Sequence, residues 1–154
     1  MFLRRYAPED ADSLSRLIIR NLRLVNIHDY SREAIDALIP SYSPERIKYV
    51  TSKSFTIVCI DGDRVVGTAS LDGNRVRNVF VEVEQHRNGI GSMMMAAIES
   101  QAIDNQLQRI CIHAGITAEG FYHKLGYRTI KRYVHDLEGV PLPLIRMEKE
   151  FPDV

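Results

Sequence analysis

The chain has 154 residues, 45% of them hydrophobic and 26% charged, a composition that suits one soluble globular domain with a real core. Lysine and arginine together number 20, as do aspartate and glutamate, so no net positive charge marks a nucleic-acid or anionic-membrane partner. No apolar run approaches the roughly 20 residues that span a bilayer, MFLRRYAPED has no apolar signal core, and Cys59 and Cys111 are too few for a disulfide framework, so a cytoplasmic protein with two buried free thiols is expected.

MFLRRY reads as a short opening strand. Leu14, Leu17, Ile18, Leu22 and Val25 then recur at helical spacing, which predicts a helix over about Glu9 to Asn26. SREAIDALIP predicts a second helix, with Ser31 as cap and Pro40 as stop. Ser43-Pro44-Glu45 predicts the start of a third, with proline in the first turn. From Ser54 the texture changes to FTIVCI, RVVGTASL and RVRNVFVEV, three strands joined by tight turns at Asp61-Gly62 and Asp72-Gly73. HRNGIG follows, leading into a helix with Ile90, Met94, Ala97 and Ile98 on one face. RICIHAG is a further strand and TAEGFYHKLGY a further helix ending at Gly126. YRTIKRYVH and PLPLIRMEKEF close the chain as two strands around the turn-like DLEG. With no repeat or linker to divide it, residues 1–154 form one α/β domain. Its central sheet is mixed and mostly antiparallel, with about six to seven strands and about four to five helices around it.

The strand-to-helix junction at HRNGIGS carries the chemistry. A helix start leaves several backbone N–H groups without partners, and they carry the positive end of the helix dipole, which suits an anion such as phosphate. Gly89 and Gly91 let an anion approach closely, and Arg87 and Asn88 can add side-chain donors. A tight connection with glycines for packing alone stays open. A Walker loop is excluded because Ser92 is not preceded by lysine, and a dinucleotide fingerprint because Met94 stands where its third glycine belongs.

His86-Arg87-Asn88-Gly89-Ile90-Gly91 resembles the cofactor loop of the GNAT superfamily of acyl-CoA-dependent N-acyltransferases: Gln or Arg, two residues, Gly, one residue, Gly or Ala. That family usually has glycine where Arg87 stands and proline where Val83 stands. A second segment, ITAEGFYHKLGYRTI, is similar to the family's later motif through Ala118, Phe121, Tyr122, Lys124, Gly126 and Tyr127. The resemblance is detailed from Val65 to Ile130 and architectural elsewhere.

The resemblance implies a GNAT-like α+β fold and transfer of an acetyl group from acetyl-CoA to a primary amine in a ternary complex, without a metal. The pyrophosphate would sit on the amides of Arg87, Asn88, Gly89, Ile90, Gly91 and Ser92, beside His86. The pantetheine arm would lie against Phe80-Val81-Glu82 like an added strand, with an N–H near Val81 on the thioester carbonyl. Tyr122 would be the general acid for the departing thiolate, and Phe121 structural. For the general base the alternatives are Glu82, His113 or a water chain. Asp29 and Tyr30, in a polar cluster with His28 between the first two helices, would shape the pocket for a small-molecule or peptide amine. A homodimer through the apolar run of VPLPLIRMEKEF is also implied. A GNAT-like domain that binds acyl-CoA as a sensor without catalysis, and an unrelated phosphate or nucleotide binder, are the alternatives.

Overall fold

The computed structural model describes residues 1–152. In chain order it has β1 (Phe2–Arg5), α1 (Ala11–Leu24), α2 (Arg32–Leu38), α3 (Pro44–Thr51), β2 (Phe55–Asp61), β3 (Arg64–Asp72) and β4 (Arg75–Val81). Then follow α4 (Ile90–Asp104), β5 (Arg109–Ala114), α5 (Glu119–Lys124), β6 (Arg128–Leu137) and β7 (Val140–Glu150). The mixed α/β architecture with a mostly antiparallel sheet is as expected.

Local chemistry sets the boundaries. The predicted first helix tightens into 3₁₀ turns at both ends, Pro8–Asp10 and Asn26–His28, and its stripe of Leu14, Leu17, Ile18 and Leu22 is buried. At its start the Asp10 carboxylate accepts the Ala7 N–H at 2.8 Å and a two-pronged contact from Arg4 at 2.8 and 2.9 Å. Ser31 caps α2 by accepting from the Ala34 N–H at 3.1 Å. That helix ends at Leu38, two residues before Pro40, which has no N–H to continue it. Ser43 caps α3 in the same way, accepting from the Arg46 N–H.

The strands lie in the order β1-β2-β3-β4-β5-β7-β6. Every neighbouring pair is antiparallel except β4–β5. One apolar cluster fills the space between the sheet and α4–α5, with Val66, Val76, Met94, Met95, Ile98 and Ile112 at its centre. The other lies under α1–α3 around Leu14, Ile18, Ile35, Ile47 and Val58. Cys59 and Cys111 are buried free thiols, as expected.

Three differences from expectation matter for the site. The strand through RVRNVFVEV stops at Val81, and Val83–Gln85 forms a 3₁₀ turn, so Glu84 does not share strand parity with Glu82. Between β3 and β4, Thr68 faces Phe80 but Ser70 faces Arg77, so Asn78 and Val79 of β4 together oppose Ala69 in a bulge, with Asn78 at φ +57°. Finally, β7 is interior, between β5 and β6. The run VPLPLIRMEKEF is therefore no sheet edge, because β6 pairs along it through the hairpin at Leu137↔Val140; the outer strands are β1 and β6. Among the described residues no helix is long and apolar enough to cross a membrane.

The α4 side of the core depends on Met94, which is fully buried. Met94→Ala should lower unfolding stability by about 2–5 kcal/mol through lost transfer energy and the cavity left behind. Urea titration at unchanged m-value reads this loss.

Candidate active site

The turn from β4 into α4 is built on two residues with left-handed backbone, Arg87 at φ +70° and Gly89 at φ +79°. Glycine adopts this freely; Arg87 carries a Cβ there at a cost of about 1–2 kcal/mol. A Cβ on Gly89 would meet nothing within 4 Å, so that glycine is required by conformation and not by space. Gly91 is the reverse case. A Cβ there would lie 3.0 Å from Cζ of Phe121, which makes it the contact point between α4 and α5.

The first backbone bond of α4 runs from the Met93 N–H to the Gly89 carbonyl at 3.0 Å. The N–H groups of Arg87, Gly89, Ile90, Gly91 and Ser92 have no acceptor among the described residues. Asn88 differs: its N–H reaches the Gln85 carbonyl at 3.4 Å and its side-chain amide donates to Gln85 Oε1 at 2.8 Å. Ile90 offers its amide alone, since its side chain is in the core. The arrangement is an anion cradle of main-chain donors at a helix start. The Arg87 side chain is exposed beside it, and His86 Nε2 lies 2.9 Å from the Val81 carbonyl.

Beyond this loop, β4 and β5 pair at Arg75↔Cys111 and Val76↔Ile112 and nowhere further along. Past Val76 they splay. Glu82 N–H donates to the Val66 carbonyl at 2.8 Å, so strand alternation turns the Val81 N–H away from β3 and towards the splay. The Val81 carbonyl is already occupied by Asn21 Nδ2 at 3.0 Å as well as by His86.

A cleft of about 350 Å³ opens at the splay, with Tyr30, Tyr42, Phe80, His113 and Tyr122 among its walls. Tyr122 is 5% exposed, stacked edge-on against Phe121 at 4.9 Å and Tyr127 at 5.6 Å. Burial holds its phenol above the ordinary tyrosine range, and the residue lines the cleft. Tyr30 is also buried and walls the cleft; burial first, then nearby Asp29, pushes its phenol up to about 12.

His113 faces the same cleft with Nδ1 hydrogen-bonded to the Tyr133 hydroxyl. Burial, then the charges of Arg75, Arg146, Arg77 and His135, pull its imidazole down to about 4, so it is neutral at pH 7. Glu82 is not the solvated carboxylate that strand parity allowed. It is 8% exposed and accepts from Arg20 Nη1 at 3.1 Å. It lines a separate hollow with Ser13, Arg16, Arg20 and Arg64, outside the cleft that holds His113 and Tyr122. Asp29 is committed elsewhere too: its carboxylate accepts from the Thr117 N–H at 3.2 Å and Thr117 Oγ1 at 2.8 Å, tying the α1–α2 linker to the turn before α5.

Sequence reasoning did not single out Arg75, Arg77, Asn78, Tyr42 or His135, all of which line the cleft. The signal for the arginines lies in RVRN, where two cations alternate with a buried valine on one strand. Among the described residues no cluster of three or more His, Cys, Asp or Glu could hold a metal ion.

The sequence over residues 26–151 matches the family described as an acetyltransferase (GNAT) domain. It is similar to the uncharacterized N-acetyltransferase YafP of Escherichia coli (strain K12), 28% identical over 138 residues that cover 89% of this chain and 87% of that protein. The fold is similar to a GCN5-related N-acetyltransferase from Rhodopseudomonas palustris, with TM-score 0.92 at 24% identity over 97% of this chain and 95% of that one. It is also similar to the PaiA N-acetyltransferase from Thermoplasma acidophilum, solved with coenzyme A, with TM-score 0.75 at 16% identity over 97% and 98% of the two chains.

The low imidazole value has a consequence in pH. An ordinary histidine takes its proton near 6.5, whereas folded His113 resists until about 4, so between these values the unfolded chain binds more protons. Stability from this group is therefore fully present above about pH 6.5 and falls as pH drops towards 4. The ring resonances of His113 should titrate near 4 by NMR, and Arg75→Gln should move that midpoint upward. A midpoint near 6.5 in the wild type would contradict the buried, cationic surroundings.

Proposed function

The chain belongs to the acetyltransferase (GNAT) domain family, and we propose that it acts as one domain that moves an acetyl group from acetyl-CoA to a primary amine by direct attack in a ternary complex. The observation that carries this reading is the set of acceptor-less amides from Arg87 to Ser92 beside a splayed strand edge. These groups fit a pyrophosphate and a pantetheine arm respectively. The PaiA enzyme, similar in fold, was solved with coenzyme A. The cytoplasm is the proposed location, with no nucleic acid, membrane or metal involved. A homodimer is proposed as well; β7 offers it no free edge, since the outer strands are β1 and β6.

When bound, acetyl-CoA supplies a thioester whose carbonyl carbon takes the amine and whose thiol departs. The amides of Arg87, Gly89, Ile90, Gly91 and Ser92 hold the pyrophosphate at the positive end of α4, with the exposed Arg87 side chain reaching a phosphate oxygen. Asn88 and His86 shape the loop, through Gln85 and the Val81 carbonyl. Phe80 and Val81 present the strand edge, and the Val81 N–H donates to the carbonyl oxygen. Tyr122 is the general acid: burial keeps its phenol protonated at neutral pH, ready to donate to the departing sulfur.

An aliphatic amine near pKa 10.4 arrives as ammonium and must lose a proton before it attacks. Two acceptors are proposed for that proton, His113 within the cleft and Glu82 at the strand end, reached through water. Tyr30 walls the acceptor pocket, and Asp29 fixes that wall through Thr117.

The reading is tested by thiol release from acetyl-CoA across a panel of amines, beside calorimetric titration with acetyl-CoA, ATP and NAD. Tight acetyl-CoA binding with no turnover on any amine would favour a sensor instead. Gly89→Val forces a branched side chain into the left-handed region and should weaken acetyl-CoA binding at least about tenfold while the circular dichroism spectrum stays folded. Wild-type affinity in that folded variant removes the phosphate cradle.

Tyr122→Phe keeps the ring and its contacts with Phe121 and Tyr127 and removes only the hydroxyl. General acid catalysis is typically worth about 10²–10⁴-fold, and a thiolate leaves readily, so kcat should fall by about a hundredfold with acetyl-CoA affinity unchanged. Retained turnover would return this tyrosine to a packing role.

A further inference from the structure

The charged side chains that line the cleft are of one sign. Arg75 and Arg77 line it together with the imidazoles of His113 and His135, and no aspartate or glutamate does. The two arginines stand on the same face of β4, on either side of buried Val76, at the point where β4 and β5 begin to part. The Nε atoms of both are buried without a hydrogen-bond partner among the described residues. Arg77 has an acid nearby: Asp72 Oδ2 is 3.2 Å from its Nε, but off the N–H direction, and that carboxylate sits at the half-exposed rim. Arg75 has no acid within ion-pair distance among the described residues. Arg146, on the same cationic side of His113, is already matched by Glu148 at 3.0 Å. Arg75 thus keeps a buried Nε–H beside a walled space with no acceptor supplied by the described residues, a costly arrangement unless a ligand oxygen completes it, while Arg77, partly exposed and paired with Asp72, adds a second guanidinium at the edge of the same cleft.

That oxygen does not belong to a cofactor phosphate held by the α4 amides. Arg75 lies six residues before Val81 on an extended strand, about 20 Å from its end at 3.3 Å per residue, and the α4 loop lies beyond that end. The space next to the arginines is the acceptor side of the cleft, walled by Tyr30 and Tyr42.

We propose that the acceptor is a small amine that also carries an anionic group, a carboxylate or a phosphate, held by Arg75 and Arg77 so that its amine reaches Tyr122 and His113. The proposal rests on the acetyl-transfer reading of the cleft and names the substrate class for it. A guanidinium presents Nε–H and Nη–H as a fork that matches two oxygens of one anion, a geometry that neither a neutral nor a dicationic amine can use. A cleft of about 350 Å³ admits a molecule the size of an amino acid.

The test uses the full-length protein with saturating acetyl-CoA and sets of acceptors matched except in charge: α-amino acids, their carboxamides, the amines left by decarboxylation, O-phosphoethanolamine and a diamine. Expected is a preference of about 10- to 100-fold in kcat/KM for the acids over their carboxamides, as for a lost hydrogen bond to a charged group. The stronger of the amino-acid and phosphoethanolamine arms identifies the anion. Arg75→Gln and Arg77→Gln should raise KM for the acidic acceptor by a similar factor, leave acetyl-CoA affinity unchanged and abolish the preference over carboxamides. Equal use of carboxamides or diamines by the wild type overturns the proposal, as does a variant that lowers all acceptors alike. Calorimetry of N-acetylated amino acids with CoA present reads the anion site without turnover. Binding there that disappears in Arg75→Gln supports the site even if the transfer assay is silent, which would count against the transfer reading alone. Absence of binding together with absence of preference overturns it.

Discussion

Two strands that run parallel for only two residue pairs govern this molecule. β4 and β5 meet at Arg75↔Cys111 and Val76↔Ile112 and then diverge, although continued pairing would satisfy their backbone groups. The divergence is held open from both sides. On the β3 side the bulge at Asn78 and Val79 bends β4, as bulges do. On the helix side Asn21 of α1 takes the Val81 carbonyl that a neighbouring strand would otherwise use. Asn21 is itself buried and also bonds the Leu17 carbonyl, so the contact is fixed within the α1 layer. The cleft, the free edge at Val81 and the direction in which the chain enters α4 all follow from this one parting.

The electrostatics are organised about the same axis. At the α4 end, positive character comes from oriented amides and the helix dipole, without a buried side-chain charge. At the other end it comes from Arg75 and Arg77, with the uncharged phenols of Tyr30, Tyr42 and Tyr122 between. Burial first, and then the nearby guanidinium charges, pull the His113 imidazole down to about 4, and the same surroundings disfavour the charge of any ammonium placed beside it. In the proposed transfer, an amine bound there would give up its proton more readily than in water, and a weak base would be enough to receive it.

What was legible in the sequence was local. Ser31, Ser43 and Pro40 mark helix ends because caps and proline act within a few residues. The aspartate-glycine pairs mark hairpins for the same reason, and HRNGIG marks a strong turn. The splay was not legible, because it depends on Asn21 meeting Val81 across 60 residues. The state of Glu82 was hidden similarly: as strand-end acid it reads as surface or base, and its partner Arg20 lies 62 residues away. β7 looked like an edge because an apolar run says nothing about which side its neighbours take. Arg75 and Arg77 looked like the solvated face of an ordinary strand, since the cleft they line is closed by residues distant in sequence on both sides, from Tyr30 and Tyr42 to His113, His135 and Leu144.

The segment GFYHKLGY shows how a short motif divides between chemistry and support. Gly126 adopts φ +96°, and the turn it permits brings the Tyr127 N–H back to the Tyr122 carbonyl at 3.0 Å. Tyr127 then lies edge-on to Tyr122, and its hydroxyl donates to Glu99 Oε2 at 2.8 Å. Lys149 of β7 donates to Glu99 Oε1 and to the Leu125 carbonyl, both at 2.7 Å. Helix α4, the α5 turn and β7 are thus joined behind one ring. Phe121 closes the remaining side against Gly91, the residue at which the anion loop becomes helix. Tyr122 is therefore held by the elements that also fix the turn into α4 and the sheet behind it. A shift of α4 relative to β7 would displace its hydroxyl and the cradle amides together, so the distance between the two ends of a bound acyl donor is set by packing within the core, before any ligand arrives.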